Sequence, residues 1–116
     1  MARVVRLGPL PLLQRRAARV AELERILGES VELVEVFSVA ELETALAGPA
    51  VAAVVLDAPG PGALTEAVAV AGPTPILRPL WRRHRNSRGE VDEVFDGYGM
   101  LVGDEVVPLA DDDLSP

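Results

Sequence analysis

Residues 51–62 read VAAVVLDAPGPG: six apolar residues without a break, an aspartate, then proline and glycine in alternation. So short a run, rich in valine and closed by turn-forming residues, predicts a strand rather than a helix. No polar residue interrupts it before Asp57, which predicts cover on both faces, the setting of a central strand in a parallel sheet. Ala58-Pro-Gly-Pro-Gly62 then predicts a rigid, turn-rich connection.

Toward the amino terminus, residues 2–7, ARVVRL, predict a short strand. Residues 10–27 carry helical period. Leu13, Ala17, Val20, Leu23 and Leu27 form an apolar stripe, and Arg15, Arg16, Arg19, Glu22 and Arg25 fall mostly opposite it, with Glu22 and Arg25 spaced to pair. Pro9 and Pro11 suit the entry of this helix and Gly28 its exit. Residues 31–37, VELVEVF, predict a second strand, and Glu32 and Glu35 place it toward a sheet edge. Ser38-Val-Ala-Glu41 is a capping box with Phe37 and Leu42 at staple positions, so a helix is expected over 39–47, stopping at Gly48-Pro49.

Toward the carboxyl terminus, a helix is expected over 63–71, ended by Gly72-Pro73, then a strand at 75–80 weakened by its prolines. The basic stretch Arg78–Arg88, RPLWRRHRNSR, is read as a connection. Residues 91–96, 100–102 and 105–109, separated by Gly97-Tyr-Gly99 and Gly103-Asp104, predict a terminal hairpin or meander. The order β-α-β-α-β-α-β followed by a hairpin predicts a single three-layer α/β domain over residues 1–110. Its expected sheet is mostly parallel and flavodoxin/Rossmann-like, with a C-terminal β-hairpin and a disordered acidic tail at 111–116.

Composition narrows the function. A chain of 116 residues, 49% apolar, can build one core without metal or disulfide help. It has no cysteine and one histidine, which rules out disulfides, thiol chemistry and the common zinc ligand sets. The first residues do not form a signal peptide and no run reaches membrane-spanning length, so a soluble, cytoplasmic protein is expected. The net charge of −7 and only four aromatic residues argue against nucleic-acid binding driven by bulk charge or base stacking. The charges are uneven: six arginines lie in 3–25, none in 26–77 and five in 78–88, while nine acids and no base follow from Glu90 on, and lysine is absent throughout.

The run LGPLPLLQRRAARVAELERIL, the following strand and helix, and AAVVLDAPGPG together resemble, over about residues 2–80, the receiver domain of response regulators. The resemblance implies a flavodoxin-like sheet in which Asp57 takes the place of the phosphate-accepting aspartate and Pro61-Gly62 lie in the loop after it. Departures accompany it. The acidic pair that would hold Mg²⁺ after the first strand is replaced by Leu7-Gly8-Pro9, the Ser/Thr after the fourth strand by Arg78-Pro79-Leu80, and the family's lysine has no counterpart. Its fourth helix, fifth strand and fifth helix find no match. The resemblance therefore implies a degenerate receiver that no longer takes phosphate.

Three site candidates follow. Asp57 is either the remnant of an anion switch or metal site, or a cap for the turn behind it. Leu7–Leu10 precedes a helix but lacks the dinucleotide and P-loop fingerprints. Arg78, Trp81, Arg82, Arg83, His84, Arg85 and Arg88 could hold a phosphate ligand, anchor a protein partner through Trp81, or pair with the acidic C-terminal third. His84, Asp96 and Tyr98 are weighed as active-site groups and read as exposed or turn residues; the Asp111–Asp113 run is read as a floppy tail. The favoured function is a non-enzymatic regulatory or protein-interaction module, self-association as a homodimer included, with no catalytic residue, metal or cofactor. The alternatives are a small phosphate-ligand or nucleic-acid binding protein and a small hydrolase or transferase.

Overall fold

The computed structural model describes residues 1–12, 15–57 and 61–109. In chain order these form β1 (Ala2–Leu7), α1 (Arg16–Leu27), β2 (Val31–Val36), α2 (Val39–Ala47), β3 (Ala53–Leu56), α3 (Pro61–Ala71), β4 (Ile76–Arg85), β5 (Val91–Val102) and β6 (Glu105–Pro108). All six strands join one sheet in the order β2-β1-β3-β4-β5-β6. Pairing is parallel from β2 through β4 and antiparallel from β4 through β6.

The parallel half forms as its apolar runs require. Val4 and Val5 of β1, and Ala53 through Leu56 of β3, are fully buried, because helices cover both faces of these strands. On one face Leu23, Ile26 and Leu27 of α1 pack with Val4, Leu33, Val55 and Leu77. On the other, Leu42 of α2 and Ala67 and Ala71 of α3 pack with Val5, Leu7, Val54 and Ile76. Each such valine or leucine contributes about 1.5–3 kcal/mol by leaving water. The glutamate-bearing β2 lies at the sheet edge. The capping box forms: Glu41 N donates to Ser38 Oγ at 3.1 Å, and Glu41 Oε2 accepts from Phe37 N at 3.3 Å rather than from Ser38.

The flavodoxin/Rossmann-like, mostly parallel sheet expected from the sequence is not what the chain builds. Strand residues outnumber helical ones, and antiparallel pairing is as extensive as parallel. The divergence begins at the basic stretch. It is not a connection: β4 runs through it to Arg85, and no helix follows among the described residues. Instead the chain reverses at once. Asn86 N donates to Glu90 O, Asn86 Oδ1 accepts from Arg88 N and Glu90 N, and Gly89 takes φ 80°. So tight a turn returns an antiparallel neighbour, whereas a parallel one needs a long crossover. Alternation fails to mark this strand because Trp81 through Arg85 are exposed on both faces.

Gly97-Tyr-Gly99, expected as a turn, lies inside β5. Pro79 pairs with Tyr98 and Trp81 with Phe95, so Asp96 and Gly97 together oppose Leu80 in a bulge. Gly97 has φ 98°, which a side-chain-bearing residue adopts only with strain. The bulge resets the alternation and puts Phe95 and Tyr98 on one face. The first helix is shorter than expected, beginning at Arg16 rather than residue 10; its expected stripe residue Leu13 lies outside the described residues, as do Ala58-Pro-Gly60 of the connection and the tail at 111–116.

Candidate functional site

The carboxyl ends of β1 and β3, where open α/β sheets place their ligands, meet at Asp57. Arg6 reaches it from β1: Nε and Nη2 donate to Asp57 Oδ2 at 3.0 and 2.7 Å. Arg6 Nη1 donates to Glu35 Oε1 at 3.1 Å and to Leu10 O at 2.9 Å. Arg19 comes from α1, with Nη2 3.4 Å from Asp57 Oδ2 and Nη1 donating to Tyr98 Oη at 3.1 Å. One carboxylate oxygen thus takes two guanidinium groups, and all three residues are buried: Arg19 is 3%, Arg6 4% and Asp57 7% exposed.

Around this centre the charge is balanced in layers. Glu35 Oε2 accepts from Arg16 Nη1 at 2.7 Å, and Glu35 Oε1 also accepts from Leu12 N at 2.8 Å. The Arg19 guanidinium carbon lies 4.3 Å from the centroid of the Phe95 ring, with Trp81 at 5.4 Å and Tyr98 at 5.7 Å. The ring faces therefore meet the positive charge that Asp57 alone does not offset. Phe95 is edge-on to both Trp81 and Tyr98. Gly8 makes room for the network, since a Cβ there would sit 2.8 Å from the Arg6 guanidinium. Burial raises the Tyr98 phenol above its usual value of 10.0, opposed by the hydrogen bond from Arg19. Arg19 Nε is buried with no hydrogen-bond partner.

Sequence reading singled out Asp57 and Trp81 from this centre, weighed Tyr98, and missed Arg6, Arg19, Glu35 and Phe95. Arg19 was placed on the exposed side of its helix; it points into the core because Asp57, Tyr98 and the rings give its charge somewhere to go. Tyr98, weighed as a turn or active-site residue, is a core residue. A signal for Arg6 existed: an arginine inside an apolar strand, two residues before a glycine. The alternative that Asp57 caps the following turn concerns residues outside those described. No cluster of three or more metal-ligating side chains occurs among the described residues.

The arginine stretch does not converge on one point. Arg78 turns back to the sheet, its Nε donating to Leu56 O at 3.0 Å. Trp81 is 43% exposed although its ring joins the stack over Arg19. Arg82 lies 3.5 Å from Asp96, Arg83 stands opposite Glu93, His84 opposite Asp92, and Arg85 donates to Gly89 O. Arg88 sits in the turn, its backbone amide held by Asn86. Asp57, His84 and Asp96 are not brought together: the first is buried under Arg6 and Arg19, the other two are exposed on the ribbon.

β3 pairs with β4 only at Ile76 and Leu77, and β6 pairs with β5 only from Gly99 on, so Leu80 through Asp96 form a two-stranded ribbon standing beyond the sheet. A hollow lined by Arg15, Ala18 and Asp92 through Phe95 separates it from α1. Comparison with protein-family models, with curated proteins and with solved structures finds no match to this chain. No described helix is long and apolar enough to cross a membrane.

Proposed function

We propose that the chain is a non-enzymatic protein-interaction module: a receiver-like unit whose acid, at the phosphate-accepting place, has become the centre of a structural ion-pair network, and which meets its partner through the β4–β5 ribbon. The observation that carries this reading is the buried sharing of Asp57 Oδ2 by Arg6 and Arg19. A carboxylate oxygen held by two guanidinium groups has its lone pairs engaged and is a poor nucleophile. The positive charges beside it leave no place for Mg²⁺, which binds through carboxylates, water and phosphate oxygens. The ribbon supports the second half of the reading, because it stands beyond the sheet and exposes Arg82, Arg83 and Arg85, a residue type enriched where interfaces concentrate their energy.

The phosphate or nucleic-acid alternative draws less support, since the acids of β5, Asp92, Glu93 and Asp96, lie alongside the arginines of β4 across the ribbon. Incubation with acetyl phosphate and Mg²⁺ tests the non-enzymatic reading. The expected result is an unchanged mass. A gain of one phosphoryl group in the wild type, lost in Asp57→Asn, would overturn it.

A further inference from the structure

From Trp81 to Asp96 the ribbon carries four arginines (82, 83, 85 and 88) and four acids (90, 92, 93 and 96). It is electrically neutral, so the whole net charge of −7 belongs to the rest of the molecule. Two copies repel each other on balance through the rest of the molecule, and the ribbon adds nothing to that repulsion. The charges are also sorted by strand: β4 carries arginines and His84 and no acid beyond Leu77, and β5 carries acids and no base.

We infer, resting on the interaction-module reading, that the partner of the ribbon is a second copy of this chain, bound ribbon to ribbon about a two-fold axis. Charge sorting selects the geometry. Edge-to-edge pairing about a two-fold joins β4 to β4 or β5 to β5, and like charges in opposite positions are destabilising. Face-to-face stacking with the axis across the ribbon also sets β4 on β4. Stacking with the axis along the ribbon sets β4 of one copy on β5 of the other, so every arginine strand meets an acidic one.

The face is selected as well. Trp81, Phe95 and Tyr98 turn toward α1, where Arg19 lies beneath them. Alternation puts Leu80, Arg82 and His84 of β4 and Asp92, Val94 and Asp96 of β5 on the opposite face, and Arg82 and Asp96 meet there at 3.5 Å. Leu80 and Val94 are half-buried and central, with basic groups along one side and acidic groups along the other. Such a patch complements itself under this rotation. An acidic partner protein or a nucleic acid would instead face the β5 acids and the negative body. The six residues named on this face are far fewer than the roughly 20–30 a side of a stable complex, so the dimer is a transient one.

Sedimentation equilibrium between about 10 μM and about 1 mM at low salt is expected to show a monomer–dimer equilibrium that weakens as salt rises. Arg82→Glu with His84→Glu makes that face of the ribbon wholly acidic, and Asp92→Arg with Asp96→Arg makes it basic. Each variant alone is expected to dimerise at least tenfold more weakly, and their mixture to recover a 1:1 dimer; circular dichroism checks that both stay folded. Wild type remaining monomeric throughout, or the two variants dimerising as it does, would overturn the inference, and so would a ladder of higher oligomers. A second arm separates this failure from that of the interaction reading. The chain has no lysine, so carbodiimide can couple its carboxylates only to another protein's amines, its own N-terminus aside. A monomer whose Glu90, Asp92 and Glu93 couple to lysines in a cell extract sinks the self-pairing and leaves the module; a monomer without such coupling sinks both.

Discussion

The Asp57 network and the β4–β5 ribbon are assembled from the same residue types. Each joins arginines to carboxylates beside aromatic rings, yet one is closed and the other open. In the network, Arg6, Arg19 and Asp57 are almost wholly buried and α1, β1, β3 and β5 all depend on one oxygen atom. On the ribbon, Arg82 and Asp96 are more than half exposed, and Arg83 faces Glu93 across the strands with water on both. Exposed pairs contribute little, whereas a buried charge that loses its partner is strongly destabilising. Location, then, decides what an arginine contributes here.

The comparison breaks most sharply at Asp57. Asp57→Ala leaves the buried Arg19 guanidinium without a carboxylate and Arg6 with Glu35 alone, and is expected to lower stability by about 3–5 kcal/mol, read as the urea midpoint. Replacing Arg6, Asp57 and Arg19 together by Met, Leu and Met should recover most of that loss, because an apolar core has no charge to satisfy. A single-variant loss under about 1 kcal/mol would mean that the network is wet and the contrast with the ribbon false.

Gly97→Ala probes the seam between the two regions. The residue has φ 98° and its new Cβ would lie 3.1 Å from Glu22 Oε1, so a loss of about 1–3 kcal/mol is expected, whereas Gly89→Ala at the open turn should cost no more than about 1 kcal/mol. Equal effects at both glycines would remove the distinction.

Tyr98 sharpens the comparison through pH. Its folded pKa is raised above 10.0 by burial, so the unfolded chain loses the phenolic proton first. The stability this contributes is complete below about pH 10 and falls away as pH rises through the folded value. Urea midpoints of wild type and Tyr98→Phe should therefore converge as pH rises past about 10. A constant gap would place the phenol in solvent. The smallest effect is expected on the ribbon, where Arg83→Ala should change stability by no more than about 0.5 kcal/mol.

Much of the parallel half was legible in the sequence. Apolar runs such as Val51–Leu56 have a single physical reading, and Ser38 and Glu41 specify a helix start through bonds four residues long or less. Residues 91–96 of β5 were legible too, but the β4 half of the ribbon was not. Its residues have no inside face along most of its length, so alternation, the main strand signal, is missing from Trp81 to Arg85. What betrayed the strand was the Asn86–Gly89 turn, which the arginines around it disguised as a loop. The network was half legible. Asp57 stood out by position, but Arg6 and Arg19 become partners only when residues 51 and 38 positions away fold against them, and no periodicity encodes that distance.

The two halves of β4 also differ in how far along the chain their partners lie. From Trp81 to Arg85 the strand pairs with residues on the far side of one tight turn, while Ile76 and Leu77 pair with residues more than twenty positions upstream, across α3. Closing a hairpin takes on the order of microseconds, and pairings of long sequence separation carry a larger loop-closure cost. The ribbon pairing is therefore the cheaper of the two to close, and a change that slows the Arg6–Asp57 pairing is expected to leave ribbon formation at its own rate.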